Sequence, residues 1–503
     1  MSDQLRELPD QPSLRYLKLE AKRRLSAGEF ATLHQAQLAI AREHGLSSWT
    51  ALKARIEAVA PTSHALTQVR WVTSRFGTAD TPEWTPPDED ELRRHFDDHY
   101  LGLLPPDWLS ALLGTVARQL REDLADVRAE PLRLRARIAD LRVEAATEPG
   151  PPYRLRTLRL YSLETKVDDP RVAAPAARAS GAVPGEVSAV AADAFGELGL
   201  AGLIVAGDSG GGSVWVTARG WADLGQGEVL LPEHRFPVYS ITKLVTAVVV
   251  LRLVADGRVR LDDPANAHLR TVRLADDAVT VRELLTHSGG VDNPGELFAD
   301  RVPELVSVTG PVAACGGSRG TFAYGHGEYA LLGQLIADVT GTGYVEAATR
   351  MVLEPLGMSD SWFPRTWPAT AAVIGHRLTD EGLFEGVPAQ VSAVPAVGGL
   401  WTTAADLVRF GLAWSSLLPG PLAREALRPQ ADRDGLGGQV GLGWMLMPPK
   451  DVAGHPGAGS GFSASLIIRP GRVGTGGGRT WVVLTNRQVA VEPLNERLVL
   501  PLT

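Results

Sequence analysis

Ser240 and Lys243 are the residues of this chain whose types and spacing most directly suggest chemistry. They lie in the run FPVYSITKLVTAVVVLRLVADG at 236–257, whose apolar stretch predicts a helix with both residues in its first turn. Residues three apart on a helix share one face, so the hydroxyl and the amine would lie side by side. Free backbone N–H groups at a helix start suit an oxyanion. The pair predicts a nucleophilic serine with a lysine base.

Lysine is rare in this chain, and its rarity distinguishes Lys243. The sequence has six lysines against 44 arginines, and Lys243 is the only lysine between Lys166 and Lys450. Arginine does not give up its proton, whereas a desolvated lysine becomes a base once its pKa falls well below about 10.4. A lysine at this position therefore fits proton transfer. The alternative is a helix lysine whose amine reaches solvent beside a capping serine.

Other patterns that resemble catalytic or metal-binding motifs are better explained by structure. The run GDSGG at 207–211 matches trypsin-like proteases, but it lies between two apolar strand-like runs, where glycine and aspartate form a hairpin turn. No histidine motif precedes Ser209 in the same region. The single cysteine, Cys315, excludes an internal disulfide and a cysteine-built zinc site. Without an HExxH or phosphate-loop pattern, we expect no metal and no cofactor.

Four further stretches extend the pattern around SITK at 240–243. In chain order they are TVRELLTHSGG at 280–290, FAYGHGEYALLGQLIADVTG at 322–341, VGGLWTTAADLVRF at 397–410 and GHPGAGSGFSASLIIRP at 454–470. Together they resemble the serine β-lactamase and penicillin-binding-protein superfamily, most of all class C β-lactamases and their esterase relatives. The resemblance covers residues 185–503. It implies an α+β fold in which an antiparallel sheet is flanked by helices and carries a helical lobe.

The resemblance gives Tyr324 a role, because it stands at the tyrosine of the family's Tyr-x-Asn motif. Tyr324 would relay a proton between Ser240, Lys243 and the leaving group; the alternative is a core tyrosine with a satisfied hydroxyl. The family's asparagine is replaced here by His326. Neutral histidine offers one donor and one acceptor at angles unlike those of an amide. A hydrogen bond to Lys243 can persist, whereas the usual recognition of an acyl amide is called into question.

The run HPG at 455–457 corresponds to the family's Lys-Thr-Gly or His-x-Gly element, on a strand that lines the site. The resemblance implies that the backbone near Gly457 lies along an acyl group. His455 would donate to the substrate or to Tyr324, unless it is a structural histidine. His287 heads a second His-x-Gly sequence, which we assign to the loop after a short helix rather than to direct substrate contact.

These residues predict a cofactor-independent serine hydrolase that cleaves carboxylic esters or amides through an acyl-enzyme on Ser240. An esterase is preferred over a β-lactamase for a physical reason. β-Lactams and peptidoglycan stems carry a carboxylate that is usually met by a permanent cation, and His455 is mostly neutral at pH 7. Two alternatives stay open: a β-lactamase or D-amino-acid peptidase, and a catalytically silent scaffold that retains the fold as a binding domain.

The chain divides into three regions that differ in composition and pattern, and the third region contains this site. Residues 1–60 predict helices and resemble a short segment at the front of many bacterial proteins, which implies a protein-contact or packing module. Residues 61–184 predict a small α+β accessory domain with linkers at 78–91 and 168–186. Its helices run to about 127, and a hairpin follows in which Leu141, Val143 and Ala145 alternate with charged residues. This pattern resembles nuclear-transport-factor-like or cystatin-like modules. Residues 185–503 form the hydrolase domain.

The composition of the chain limits which partners and which cellular compartment are expected for the protein. The chain has 503 residues, 44% of them hydrophobic and 21% charged, which is typical of a globular protein with two or three domains. A net charge of −8 argues against nucleic acid as a partner. The amino terminus lacks an apolar signal region, and no stretch is long enough to span a membrane. We therefore expect a cytoplasmic enzyme with a small-molecule ester or amide substrate.

Overall fold

The computed structural model describes most of the chain. It covers residues 14–489 and 495, apart from 31, 45, 53–62, 76–84, 104–105, 107–108, 111–112, 114–123, 130–132, 139–140, 163–166, 168, 173–174, 211, 295–297, 305–309, 318, 369–372, 380–381, 389, 434–437, 449–450 and 472–477.

Two helices begin the described part of the amino-terminal segment. They are α1 (Leu14–Ser26) and α2 (Leu33–Glu43), as the sequence predicted. The guanidinium of Arg24 joins them, because it pairs with Glu20 on its own helix and with Glu43 on α2. A further helix starts after Ser48, whose hydroxyl accepts a backbone N–H three residues later. The helical spacing of Trp49, Leu52 and Ile56 predicts that this helix reaches residue 56, but residues 53–62 lie outside the described residues. The protein-contact role stays a prediction.

In its described residues, the accessory domain packs helices on an antiparallel sheet with the strand order β1-β2-β3-β4. Its elements are α3 (His64–Ser74), α4 (Glu89–His95), α5 (Asp98–Leu103), β1 (Ala125–Ala129), β2 (Arg133–Ile138), β3 (Leu141–Thr147) and β4 (Leu155–Ser162). The predicted hairpin is confirmed as β3 and β4. The expectation of helix up to about 127 is wrong at its end, because β1 begins at Ala125.

Two predicted linkers contain structure. Helix α4 starts inside the 78–91 linker, where Asp88 and Glu91 form a reciprocal capping box. The second linker, 168–186, contains strand β5 (Arg178–Ser180), which pairs with a strand of the hydrolase sheet. The chain therefore joins that sheet before residue 185, the boundary that the sequence suggested.

The apolar runs near 201–221 and 463–486 predict strands at the two ends of the hydrolase domain that meet in one sheet. The domain is built on such an antiparallel sheet. The further numbered strands are β6 (Gly202–Asp208), β7 (Val214–Asp223), β8 (His376–Leu378), β9 (Phe384–Gly386), β10 (Met445–Met447), β11 (Val452–Gly459), β12 (Phe462–Arg469) and β13 (Arg479–Thr485). The sheet runs β10-β11-β12-β13-β6-β7-β5, extended beyond β10 by two short strands at 431–432 and 439–440. β8 and β9 form a separate hairpin.

Helices cover both faces of this sheet and form the lobe between its strands. They are α6 (Gly185–Glu197), α7 (Thr242–Ala255), α8 (Val281–Leu285), α9 (Gly327–Thr340), α10 (Tyr344–Ala348), α11 (Pro395–Gly398), α12 (Ala404–Ala413) and α13 (Gly420–Ala426). Helix α6 packs on one face, against Trp215 and Trp481. Helix α7 is buried on nearly all sides in the main core, as expected of a helix that is apolar all round.

Two local predictions hold at the ends of elements. The GDSGG run begins in the last residues of β6, and its described residues Ser209 and Gly210 lie in the turn toward β7. The Asp208 carboxylate accepts the N–H groups of Gly210 and Thr480. The spacing of Thr280 and Glu283 in the run TVRE predicts a capping box, and this capping box starts α8. Within the described ranges, none of the helices combines the length and apolar character that a membrane span requires.

Candidate active site

Ser240 lies on a tight turn at Tyr239–Ile241, immediately before α7. Tyr239 has a φ of 42°, in the left-handed region, which costs a side-chain-bearing residue about 1–3 kcal/mol. Strand β11 lies directly against this turn. A Cβ added to Gly457 would stand 2.1 Å from the Val238 carbonyl oxygen and 3.4 Å from the Ser240 nitrogen. Only glycine at this position lets the strand approach the nucleophile so closely.

Lys243 lies beneath Ser240, with its side chain fully buried. Its Nζ donates to Ser240 Oγ at 3.0 Å and to the Tyr324 hydroxyl at 3.0 Å, and it lies 3.4 Å from the Val397 carbonyl oxygen. Burial lowers the pKa of Lys243 to about 7, although the nearby Glu328 carboxylate works in the opposite direction. A large share of the lysine is therefore neutral near pH 7, as a base requires.

Tyr324 completes a three-membered cluster from the loop that precedes α9. Its hydroxyl donates to Ser240 Oγ at 2.8 Å. Burial raises the pKa of Tyr324 well above its ordinary value, so the hydroxyl keeps its proton at neutral pH. The structure thus brings together the three residues that the sequence predicted as catalytic, although Tyr324 is 81 positions away from Lys243.

His326 contacts the lysine in place of the family's asparagine. Its Nδ1 lies 3.2 Å from Lys243 Nζ, and its backbone N–H donates to Asn293 Oδ1 at 2.6 Å. Burial and the neighbouring lysine lower the pKa of His326 well below its ordinary value. The ring is therefore neutral and Nδ1 accepts from the amine. The hydrogen bond that an amide oxygen would make to Lys243 is present here with an imidazole.

His455 and Gly457 support the site from β11. His455 is buried, its Nδ1 donates to the Pro456 carbonyl oxygen at 2.6 Å, and its ring centre lies 5.9 Å from that of Tyr324. Burial lowers the pKa of His455 well below its ordinary value. Neither residue lines the adjacent cavity, whereas the next residue along β11, Ala458, does. Their predicted contact with substrate stays a prediction.

His287 packs behind the tyrosine. It has a φ of 52°, and its ring centre lies 4.7 Å from that of Tyr324. Its Nδ1 accepts the Gly325 N–H at 3.3 Å, next to the tyrosine in the chain. The loop assignment made from the sequence agrees with this position. Sequence reasoning missed two groups of the site. Asn293 lies on a loop outside the quoted stretches, and the Val397 carbonyl is a backbone group of α11 that no side-chain pattern marks.

A cavity of about 620 Å³ opens at Ser240 and His326. From there it extends past Tyr239 and the end of β11 toward the β8–β9 hairpin. Among the described residues, no cluster of histidine, cysteine and carboxylate side chains could hold a metal ion. The chemistry that this site can perform is nucleophilic attack by a serine whose oxygen contacts both an amine and a phenol.

The fold and the serine–lysine–tyrosine cluster define the class of protein. The chain belongs to the beta-lactamase family, whose model matches residues 168–501, and so to the superfamily of serine β-lactamases and penicillin-binding proteins. The match begins before residue 185, in agreement with the pairing of β5 in the hydrolase sheet.

Sequence similarity to two individual relatives adds to the family match. It is 30% identical over 332 residues to esterase EstB of Burkholderia gladioli, covering 58% of this chain and 81% of EstB. It is 24% identical to the D-alanyl-D-alanine-carboxypeptidase/endopeptidase AmpH of Escherichia coli K12, covering 46% of this chain and 67% of AmpH.

Solved structures agree on the fold. The SurE crystal structure matches with a TM-score of 0.52 and 29% identity, covering 63% of this chain and 75% of SurE. The D-amino acid amidase of Ochrobactrum anthropi SV3 matches with a TM-score of 0.51, covering 63% of this chain and 97% of the amidase. At 21% identity, this second likeness shows the fold alone.

Proposed function

We propose that this hydrolase cleaves carboxylic esters through an acyl-enzyme on Ser240. The observation that carries the proposal is the position of Lys243 Nζ, 3.0 Å from both Ser240 Oγ and the Tyr324 hydroxyl, in surroundings that lower the lysine pKa to about 7. A neutral amine at hydrogen-bond distance from a serine meets the geometric and the acid–base requirement for activation together.

The contacts of Ser240, Lys243 and Tyr324 support a sequence of proton transfers that accompanies acylation and deacylation. Ser240 Oγ attacks the carbonyl carbon while its proton passes to neutral Lys243. The oxyanion is held by the Ser240 N–H and by an N–H of the strand after His455. Tyr324 gives its proton to the departing alkoxide and regains one from Lys243, and the carbon–oxygen bond breaks. Water then attacks the acyl-enzyme by the reverse route, which releases the acid and restores the serine.

The preference for esters rests on the absence of a permanent cation at position 455. Burial holds His455 neutral, so a carboxylate beside the reacting carbonyl, as in β-lactams, would lack the positive partner that this strand usually supplies. The similarity to esterase EstB points the same way. The second candidate is an amide or peptide hydrolase, which the similarity to AmpH favours. Retention of the His326 contact to Lys243 argues against a silent scaffold.

Covalent labelling tests the proposal directly. A fluorophosphonate probe should label the wild-type protein on Ser240, and Ser240→Ala should lose both the label and the hydrolysis of p-nitrophenyl esters. Ser209→Ala, in the GDSGG turn, is the matched control and should keep both. Labelling that survives Ser240→Ala would refute the mechanism. Turnover of nitrocefin at a kcat/KM above that for neutral esters would instead favour the β-lactamase alternative.

A further inference from the structure

The walls of the cavity next to Ser240 carry positively charged side chains. Its walls contain two arginines, Arg377 and Arg487, together with histidine, glutamine, serine and apolar side chains. No aspartate or glutamate lines it among the described residues. A cavity with cations and no carboxylate on its walls favours ligands that carry negative charge.

Arg487 is the more deeply buried of the two arginines. It follows β13, and its Nη1 donates to the Leu198 and Gly199 carbonyl oxygens at 2.6 and 2.8 Å, at the end of α6. In the part of the chain that the structure describes, no carboxylate forms an ion pair with it. Burial without an anion lowers the pKa of Arg487 to about 10. Among the described residues, the hydrogen bonds of the guanidinium are those of Nη1, so Nε and Nη2 are left for a ligand in the cavity that Arg487 lines.

Arg377 lies at the same end of the cavity, on β8. It pairs with Glu385 across the hairpin at 2.7 Å, and the pair is largely exposed. The β8–β9 hairpin meets the end of β13 through a bridge between His376 and Arg487. The two arginines therefore belong to one wall, and Arg487 carries the uncompensated charge.

This wall is remote from the reacting serine. Strand β11 flanks Ser240, and Arg487 follows β13, which lies two strands away in the sheet. Neighbouring strands are about 4.8 Å apart, so the separation across the sheet is about 10 Å. A group bound at Arg487 would be several bonds from the carbonyl that Ser240 attacks. It is thus distinct from the carboxylate of a β-lactam, which adjoins the reacting bond.

We propose that the cavity receives an acyl chain that ends in a carboxylate, and that Arg487 binds this carboxylate while the acyl carbonyl reaches Ser240. The preferred substrates are then half esters of dicarboxylic acids rather than esters of simple fatty acids. This inference rests on the proposed acyl-enzyme function and names its substrate class. Arginine suits the task because its planar guanidinium binds carboxylates through charge-assisted hydrogen bonds.

A matched pair of substrate series tests the inference. Mono-p-nitrophenyl esters of succinic, glutaric, adipic and suberic acid are compared with the same compounds methylated at the far carboxylate, which keeps length and removes charge. The measured quantity is the ratio of kcat/KM for the charged over the methylated member. Arg487→Gln removes the charge, Arg487→Lys keeps it, and Arg479→Gln is the control, because Arg479 lies at the opposite end of the same strand.

In the wild type, the ratio should exceed one by about tenfold or more at the optimal length, as expected for hydrogen bonds to a charged group. Arg487→Gln should bring it to one or below, Arg487→Lys should retain part of it, and Arg479→Gln should leave it unchanged. A wild-type ratio at or below one for every length overturns the inference even if Arg487→Gln fails to fold. Failure of the proposed function has a different signature: neither series is hydrolysed and Ser240 is not labelled.

Discussion

At the scale of single residues, the catalytic role that we propose for Lys243 conflicts with the stability of the fold. A fully buried ammonium is costly, and the protein tolerates it because Ser240, Tyr324 and His326 surround the amine with polar atoms. The burial that makes the charged form of Lys243 unfavourable also lowers the lysine pKa to about 7, which allows the amine to act as a base. Replacing Lys243 by an apolar residue should therefore lower activity and raise stability.

The pH dependence of hydrolysis should report the titration of Lys243. If the neutral amine takes the serine proton, kcat/KM for a neutral ester rises with pH and levels off above about 7, the lysine pKa. Lys243→Arg should lose about a hundredfold or more, because arginine keeps the charge and cannot accept a proton. Steady-state kinetics from pH 5.5 to 9 provide the measurement. Near-native turnover by Lys243→Arg would show that positive charge alone suffices.

Lys243→Met should raise stability while abolishing turnover. Below pH 7 the lysine is protonated in both the folded and the unfolded chain, and the buried charge destabilises the fold. Between about 7 and 10.5 the folded state gives up its proton first, so the wild type becomes more stable as pH rises. Urea unfolding at pH 6, 8 and 9.5 should show the advantage of Lys243→Met shrinking. A constant difference would mean that the folded-state pKa is not lowered.

His455 offers a test of the ester preference. Because burial holds its pKa well below 6.5, the wild-type ratio of kcat/KM for nitrocefin over a neutral ester should be flat from pH 5.5 to 8.5. His455→Lys introduces the cation that the family usually has and should raise this ratio by about tenfold. His455→Gln, which is polar and neutral, is the control. An unchanged ratio in His455→Lys would show that position 455 does not meet the substrate's acid group.

At the scale of elements, the contact between β11 and the Ser240 turn can be tested with two glycines. Gly457→Ala places a methyl group against the Val238 carbonyl, 2.1 Å away before any shift, and should cost about 1–3 kcal/mol of stability along with most of the activity. Gly196→Ala is the matched control. Gly196 lies near the end of α6 with nothing within 4 Å of an added Cβ, so alanine should add about 0.5–1 kcal/mol and leave turnover unchanged.

Thermal or urea unfolding together with ester turnover measures both variants. Equal behaviour of the two alanines would show that β11 moves away from the turn without penalty. In that case the close packing of Gly457 would not be what holds Ser240 in position.

Elements with strong periodicity could be predicted from the sequence, and those without it could not. The apolar run of α7, the capping box at Thr280 and the strands at both ends of the hydrolase domain all carry local signals. Strands β1 and β2 were missed, although Leu134 and Ala136 of β2 are buried. The start of α4 was missed because its cap at Asp88 lies in a proline-rich acidic run that reads as a linker.

In the candidate site, too, contacts between residues close in the sequence could be predicted, and contacts between distant residues could not. Ser240 and Lys243 are one helical turn apart, so their contact follows from spacing. Tyr324 reaches them only because the chain folds back over 81 residues, which no local pattern encodes, and resemblance to the family supplied it. Asn293 lies on a loop and the Val397 carbonyl belongs to the short helix α11, and the positions of both depend on tertiary packing. Such residues cannot be read from a single sequence.

At the scale of the whole molecule, the linker between the accessory domain and the hydrolase is attached to the wall of the cavity. The buried carboxylate of Asp169 accepts the Phe384 N–H at 2.9 Å and pairs with Arg171, whose Nη2 donates to the Phe384 carbonyl oxygen at 2.8 Å. Both backbone groups of Phe384 are thus bound by the linker. Phe384 lies on β9, and its partner β8 lines the cavity.

Asp169→Ala should therefore weaken the fold and loosen the cavity wall without touching the catalytic cluster. It leaves the buried Phe384 N–H without its acceptor, at a cost of about 1–3 kcal/mol, and should raise KM more than it lowers kcat. The arginine lowers the pKa of Asp169, so its contribution is present above the unfolded value of about 3.9 and is lost at lower pH. Urea unfolding at pH 7 and pH 3, with ester kinetics at pH 7, measures these effects.

Glu385→Ala is the control variant. It removes an exposed ion pair from the same hairpin and should change stability by less than about 1 kcal/mol. If both variants behaved alike, the linker would be a passive tether, and the cavity would take its shape from the hydrolase domain alone.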